Sequence, residues 1–255
     1  STFFHDVVVF DVRHRLDDTA AGHAMYHAGH IPGALHAHLD SDLSGPVGVR
    51  AGGLSGRHPL PDTTVWLERL GKWGIGPQTQ VVAYDDQGGV VAARLWWMLR
   101  AVGHQAVAVL NGGLPAWVAA GGRLQTGASE PRRSLALYPG RFNSEWVADM
   151  EDIRNQVAHP EQAPRYYVVD VRSPERYRGE TEPYGPVAGH IPGAVNAFYG
   201  PNLNPDATFR SPDELRARFA PIVAAAGQRE VVMSCGSGVS ACHNLLAMEI
   251  AGLPT

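Results

Sequence analysis

The sequence predicts an α/β fold built twice: two tandem domains, each a parallel sheet flanked by helices on both faces. Three observations carry this reading. Short apolar, β-branched runs alternate with stretches of helical periodicity along the chain, the pattern of strand–helix–strand units. Those runs are apolar throughout, as strands covered on both faces must be. The chain also repeats itself. Phe10-Asp11-Val12-Arg13 returns as Val169-Asp170-Val171-Arg172, and Ala28-Gly29-His30-Ile31-Pro32-Gly33-Ala34 returns residue for residue as Ala188 to Ala194. Both separations are about 160 residues, so the 255-residue chain reads as two copies of one domain.

Each element of the first copy follows from its residues. Val7 to Val12 is a continuous apolar strand, and Gly33 to Ala37 leads into a second, short one. Thr63 to Trp73 places Val65, Leu67, Leu70 and Trp73 at helical spacing behind a cap, Asp62 or Thr63. Gln80 to Tyr84 is a strand. Val90 to Val102, with Trp96, Trp97 and Leu99, is a strongly apolar helix. Val107 to Leu110 is a strand, and Asn111-Gly112-Gly113 opens a helix around Trp117.

Gly121 to Arg141 is rich in Gly, Ser, Pro and Arg and has no periodicity, which sets a linker at 123–145 between domains at 1–122 and 146–255. Trp146 to Val157 then reads as a helix and Tyr166 to Val171 as a strand, with Gly193 to Ala197 leading to another. Ser211-Pro212-Asp213-Glu214 opens a helix with a cap, a first-turn proline and acids near the dipole's positive end. Glu230 to Ser234 is a strand, and an apolar helix follows from Ala241 to Ile250. The sequence stops at Gly252-Leu253-Pro254-Thr255, where the first copy goes on. The expectation is a second domain lacking its C-terminal strand and helix.

Composition narrows the partners. Hydrophobic residues at 44% and charged residues at 18% suit a chain with a sizeable core. A net charge of -4 without a basic block gives no reason to expect nucleic acid. No apolar run reaches the roughly 20 residues of a membrane helix. Two cysteines cannot be a disulfide framework and suit a reducing, cytoplasmic compartment. No secretory signal is visible.

One stretch carries chemistry: Val231-Val232-Met233-Ser234-Cys235-Gly236-Ser237-Gly238-Val239-Ser240-Ala241. Free cysteine is ordinarily a small buried hydrophobe. Cys235 differs because it follows a strand, precedes a helix, and is trailed by small residues that cover a sulfur poorly. Helix starts stabilise a thiolate, and glycines permit the positive φ angles that turn successive N–H groups inward. Cys235 is therefore expected to be a nucleophile cradled by the amides of Gly236, Ser237, Gly238, Val239, Ser240 and Ala241. In the first copy Tyr84-Asp85 falls on Ser234-Cys235, and a carboxylate cannot replace a thiolate in sulfur chemistry. One copy is expected to be catalytic and the other a scaffold. Cys242, one turn into the helix, reads as packing. His30 and His190, in the same turn of each copy, and the Asp-Val-Arg pairs read as parts of the shared fold.

The duplicated D-V-R and A-G-H-I-P-G-A segments, with Leu110-Asn111-Gly112-Gly113-Leu114-Pro115-Ala116-Trp117, resemble those of the rhodanese-type sulfurtransferases. Cys235 to Ala241 resembles the active-site loop of their 3-mercaptopyruvate-using class. The resemblance implies tandem rhodanese domains with an inactive first copy and a persulfide formed on Cys235 in ping-pong catalysis. It places substrate-binding arginines between the second D-V-R and A-G-H motifs, where Arg176 is the first choice and Arg178 the second; a two-pronged guanidinium suits a donor carboxylate. Neutral Gly236 and Ser237 favour 3-mercaptopyruvate over thiosulfate, whose users typically carry basic side chains there. Acceptors would be a thiol, thioredoxin among them, or cyanide.

Other chemistries fit less well. A cysteine phosphatase places an arginine six residues after its cysteine, and here that residue is Ala241. Cys235 and Cys242 lack zinc-ligand spacing, so no metal is expected. Gly236-Ser237-Gly238 is half of a dinucleotide fingerprint, with Ala241 where the third glycine belongs, so no cofactor is expected. A persulfide carrier or redox sensor that serves only a protein partner stays open.

Overall fold

The apolar runs pair as parallel sheets in both copies. The computed structural model describes residues 6–48, 56–131 and 133–254. It divides into two units, Ser1–Asn143 with Pro205–Thr208, and Ser144–Asn204 with Phe209–Thr255.

In the first unit β1 (Val7–Asp11) lies between β2 (Leu35–His36) and β3 (Gln80–Tyr84), and β4 (Val107–Val109) flanks β3. All three pairings are parallel. The helices are α1 (Ala21–Ala28), α2 (Thr63–Lys72), α3 (Ala92–Ala101) and α4 (Gly113–Ala119). Asp62 caps α2, accepting from the amides of Thr64 and Val65 at 2.8 and 3.4 Å, which decides between the two candidate caps. α3 is buried along almost its whole length, with Arg94 held in the interior by the Leu43 and His58 carbonyls. α1 has no counterpart in the sequence reading. Its residues, AGHAMYHA, are small or imidazole-bearing apart from Met25 and Tyr26, and Ala20 offers no capping oxygen.

In the second unit α5 (Met150–Ala158) precedes β5 (Tyr166–Asp170), which lies between β6 (Val195–Asn196) and β7 (Glu230–Ser234) in another parallel sheet. α6 (Pro174–Arg178), α7 (Pro212–Ala226) and α8 (Ser240–Ile250) complete it. Among the described residues this sheet holds no counterpart of β4. Ser211 and Glu214 close a reciprocal capping box at the start of α7.

Two expectations need correction. The helix expected from Trp146 starts at Met150, and Ser144–Trp146 is a separate 3-10 turn. The cause is Asp149, which forms a capping box with Asp152 and fixes the helix start four residues past the tryptophan. The aperiodic segment expected as a linker is not a loose tether. Gln125 and His30 exchange backbone bonds at 2.9 Å, Leu135 N–H donates to Gly71 at 2.8 Å, and Tyr138 is buried with its hydroxyl 3.0 Å from His104 Nδ1. Periodicity cannot reveal irregular chain that satisfies its backbone on a neighbouring element.

The repeat is reproduced atom for atom at the turn. Arg13 bonds Asp11 side by side and donates to the Gly29 carbonyl at 2.7 Å; Arg172 does the same with Asp170 and with Gly189 at 2.6 Å. His30 and His190 each donate from Nδ1 to a tyrosine carbonyl, Tyr26 at 2.8 Å and Tyr177 at 2.7 Å, and stack on that tyrosine's ring. The tyrosine hydroxyls in turn donate to Ala34 and Ala194. Both histidines are thus turn-holding groups.

Candidate active site

Registration fixes which loops correspond. Asp11 pairs with Tyr84 across β1 and β3, and Asp170 with Ser234 across β5 and β7. The next residues, Asp85 and Cys235, therefore stand at the same place, beyond the carboxyl end of a strand and before a helix. That end of a parallel sheet is where open α/β folds bind ligands.

Cys235 is half-buried. Its Sγ accepts the N–H of Gly238 at 3.1 Å. Gly238 sits at φ +70°, a left-handed conformation that glycine adopts without cost and that bends the loop back over the sulfur. Val239, at the N-cap of α8, brings no capping oxygen to the helix start. Cys242 is buried and donates from Sγ to the Gly238 carbonyl at 3.3 Å, so the second thiol bonds the residue whose N–H serves the first.

The first copy shows what such a loop is built to hold. Asp85 is fully buried, and its carboxylate accepts four backbone N–H groups: Gln87 and Gly89 at 2.8 Å on one oxygen, Val91 and Ala92 at 2.8 and 3.0 Å on the other. Burial pushes this carboxyl above its ordinary range, against four donors that favour the charged form. The loop is a cage for an anion, and in this copy the anion is part of the chain.

A buried polar layer fixes α8. Asn244 donates to the Ala197 carbonyl at 2.9 Å, and Asn202 donates to Asn244 Oδ1 at 2.7 Å. Asn202 also lies 3.2 Å from His243 Nδ1 and accepts from Arg218 Nε at 2.9 Å. His243 is wholly buried and stacked on Phe209. These groups anchor the first two turns of α8, and through them the loop.

The rhodanese-like domain model matches the chain twice, over residues 4–120 and 149–255. This chain belongs to the rhodanese family. Its two copies are rhodanese-like domains, as the repeat predicted. A Pseudomonas aeruginosa relative described as "Probable 3-mercaptopyruvate sulfurtransferase" is 42% identical over 254 residues, covering 98% of this chain and 85% of its own. The thiosulfate sulfurtransferase of Rattus norvegicus is 32% identical over 236 residues, covering 90% of this chain and 74% of its own. The solved 3-mercaptopyruvate sulfurtransferase of Leishmania major superposes with a TM-score of 0.81 at 31% identity, covering 98% of this chain and 66% of that one. With relatives of this likeness, the rhodanese chain is an enzyme of sulfur transfer. No described helix is long and apolar enough to cross a membrane.

The candidate arginines of this rhodanese chain lie on α6 and separate in character. Arg176 is mostly buried; its Nη2 donates to both oxygens of Glu182 at 2.8 and 3.0 Å, and its buried Nε has no partner among the described residues. Arg178 is 51% exposed and paired with Glu180. Arg178 is thus held by its own chain neighbour, while Arg176 enters a network the sequence reading missed. Glu182 also accepts from Arg172 at 3.0 Å, so one carboxylate bridges two guanidiniums. Burial pushes Glu182 up, but the Arg176 bond, the Tyr184 amide and both cationic charges together hold it below the usual carboxylate range. The Asp170 bond raises Arg172, which also feels the charge of Cys235. Arg172 is thus shared between Asp170, Glu182 and the Gly189 carbonyl. Its signal lay in the D-V-R repeat, read there as purely structural.

Proposed function

We propose that this rhodanese-family enzyme moves the sulfane sulfur of 3-mercaptopyruvate to a thiol or cyanide through a persulfide on Cys235. The observation that carries it is the Gly238 N–H at 3.1 Å from Cys235 Sγ, in a loop whose twin cages the Asp85 anion. The Cys235 thiolate attacks the donor sulfur. An S–S bond forms as the C–S bond breaks, and the electron pair leaves on carbon as the pyruvate enolate, which takes a proton. An acceptor thiolate or cyanide then attacks the outer sulfur and returns Cys235 as thiolate. The developing negative charge meets preorganised N–H donors. By analogy with the donors to Asp85, the amides of Ser237, Val239 and Ala241, with those of Gly236, Gly238 and Ser240, close on the persulfide. Arg176 takes the donor carboxylate in exchange for Glu182, and Arg178 assists from the surface.

The domains divide the work: 1–122 is the scaffold, 123–145 joins, and 146–255 is catalytic. Two cysteines, neither in a disulfide, support a reducing, cytoplasmic setting, with a protein dithiol such as thioredoxin as acceptor. A second reading, with thiosulfate as donor and sulfite leaving, is supported by the thiosulfate-using relative.

Thiocyanate formation from cyanide tests the proposal, with each donor in turn and with Cys235→Ser alongside. Turnover with 3-mercaptopyruvate that vanishes in Cys235→Ser is expected, as is a mass gain of about 32 Da on Cys235 after donor alone. A thiosulfate preference overturns the donor assignment. Retained turnover in Cys235→Ser overturns the mechanism.

A further inference from the structure

Six of the twelve histidines form a contiguous file of rings in the first unit. It starts at the exposed pair His27 and His23 on α1, with centroids 4.3 Å apart. It passes to His36 at 5.8 Å, His38 at 6.0 Å and His14 at 5.5 Å, and ends at His58, 6.2 Å from His14. His14 and His58 are 3% and 4% exposed. Both ring nitrogens of His14 and Nδ1 of His58 are buried without a hydrogen-bond partner among the described residues. A buried ring nitrogen without a partner is costly unless something binds it. His58 Nε2 lies 2.9 Å from Asp40 Oδ1. One donor atom from each of His14, Asp40 and His58 lies within 4.8 Å of the other two.

We propose that His14, Asp40 and His58 bind a divalent transition ion of the zinc type, with a fourth position left for water. Two imidazoles and one carboxylate are the ligand set such ions prefer. Ligation needs neutral rings with a lone pair to give, and His14 is buried with both ring nitrogens unpartnered among the described residues. Arg57 and Arg15 also bear on His14 as cations, while Asp40 supplies the compensating charge. Asp40 is 37% exposed and can rotate to bring its oxygen inward. Ligands about 2.0–2.1 Å from a tetrahedral ion stand roughly 3.3 Å apart, so closure by at most about 1.5 Å completes the site. The neighbouring His38 is already committed, through Nε2 to the Thr19 carbonyl and Nδ1 to the Asp40 amide.

The test is Co2+ titration of the metal-stripped full chain, followed by visible absorption, with Zn2+ by calorimetry. It is run in the wild type and in Cys235→Ser, which removes the competing thiolate. One equivalent is expected to bind in both chains, weakened about 100-fold by His14→Gln or His58→Gln. His23→Gln with His27→Gln, which removes the exposed pair whose Nε2 atoms lie 3.1 Å apart, is expected to leave that equivalent in place. Asp40→Asn, at a partly exposed position, keeps the fold and is expected to bind at least about tenfold more weakly. No saturable binding, unchanged binding in Asp40→Asn, or binding lost only with the His23/His27 pair or with Cys235 overturns the proposal.

Discussion

Asp85→Ala removes the anion from the first-copy loop and leaves four buried amides facing an empty space. Those of Gln87, Gly89, Val91 and Ala92 now donate to Asp85 at 2.8–3.0 Å. A charged hydrogen bond contributes about 1.5–3 kcal/mol and an orphaned buried donor costs about 1–3 kcal/mol. Water entering the vacated space offsets part of this, so the expected loss is about 3–5 kcal/mol, the range seen when one partner of a buried charged pair is removed. Asp85→Asn keeps one acceptor oxygen but turns an NH2 group towards two of the donors, and should lose about half as much. Urea unfolding followed by tryptophan fluorescence reads this unit, because Trp66, Trp73, Trp96, Trp97 and Trp117 lie in it and Trp146 alone lies outside. Formate should recover part of the loss in the alanine variant by refilling the cage. A change within about 0.5 kcal/mol, or no response to formate, would refute the view of this loop as an anion cage.

Gly238→Ala forces a side chain into φ +70°, at a cost of about 1–2 kcal/mol. kcat/KM should fall by more than that stability loss accounts for, because the displaced amide serves Cys235. Glu182→Gln frees Arg176 and Arg172 of their shared counter-charge. KM for 3-mercaptopyruvate should drop several-fold and KM for dianionic thiosulfate further; a rise for both would make Glu182 a positioner of Arg176 rather than a competitor of the donor. Stability should also depend on pH through His58, held at about 4 in the folded chain against 6.5 ordinarily. The unfolded chain takes up the proton first, so stability present above pH 6.5 is lost as pH falls towards 4, by roughly 2–3 kcal/mol. His58→Gln should flatten that limb of a urea-midpoint profile.

The correspondence of Asp85 with Cys235 was legible because two repeated motifs and two strands of equal length fix one registration. Local chemistry was legible too, as at the Ser211 box that opens α7. Asp149 carries the same signal but was outweighed by apolar Trp146, which the structure leaves exposed. What sequence could not give were partners joined by the fold. Glu182 lies ten residues from Arg172 on a chain that doubles back, and Asn202 meets Asn244 across 42 positions. Asp170 and Arg172 do form the structural pair read from the repeat, but its extension to Glu182 was not visible there.

The duplication then has a physical explanation. A loop whose N–H groups turn inward is unstable when empty, for the amides cannot reach water and have no acceptor. Each copy must therefore supply an acceptor at the strand end. The first supplies a carboxylate with two oxygens, which satisfies four donors permanently and leaves nothing to react. The second supplies one sulfur, which meets one donor at 3.1 Å and is only half-buried. On the proposed mechanism, an outer sulfur on Cys235 would add a second acceptor to the loop. By the same reasoning Asp85→Cys alone should not make the first copy active, because its environment is closed over a buried carboxylate and the bridge of Glu182 between two arginines belongs to the second copy.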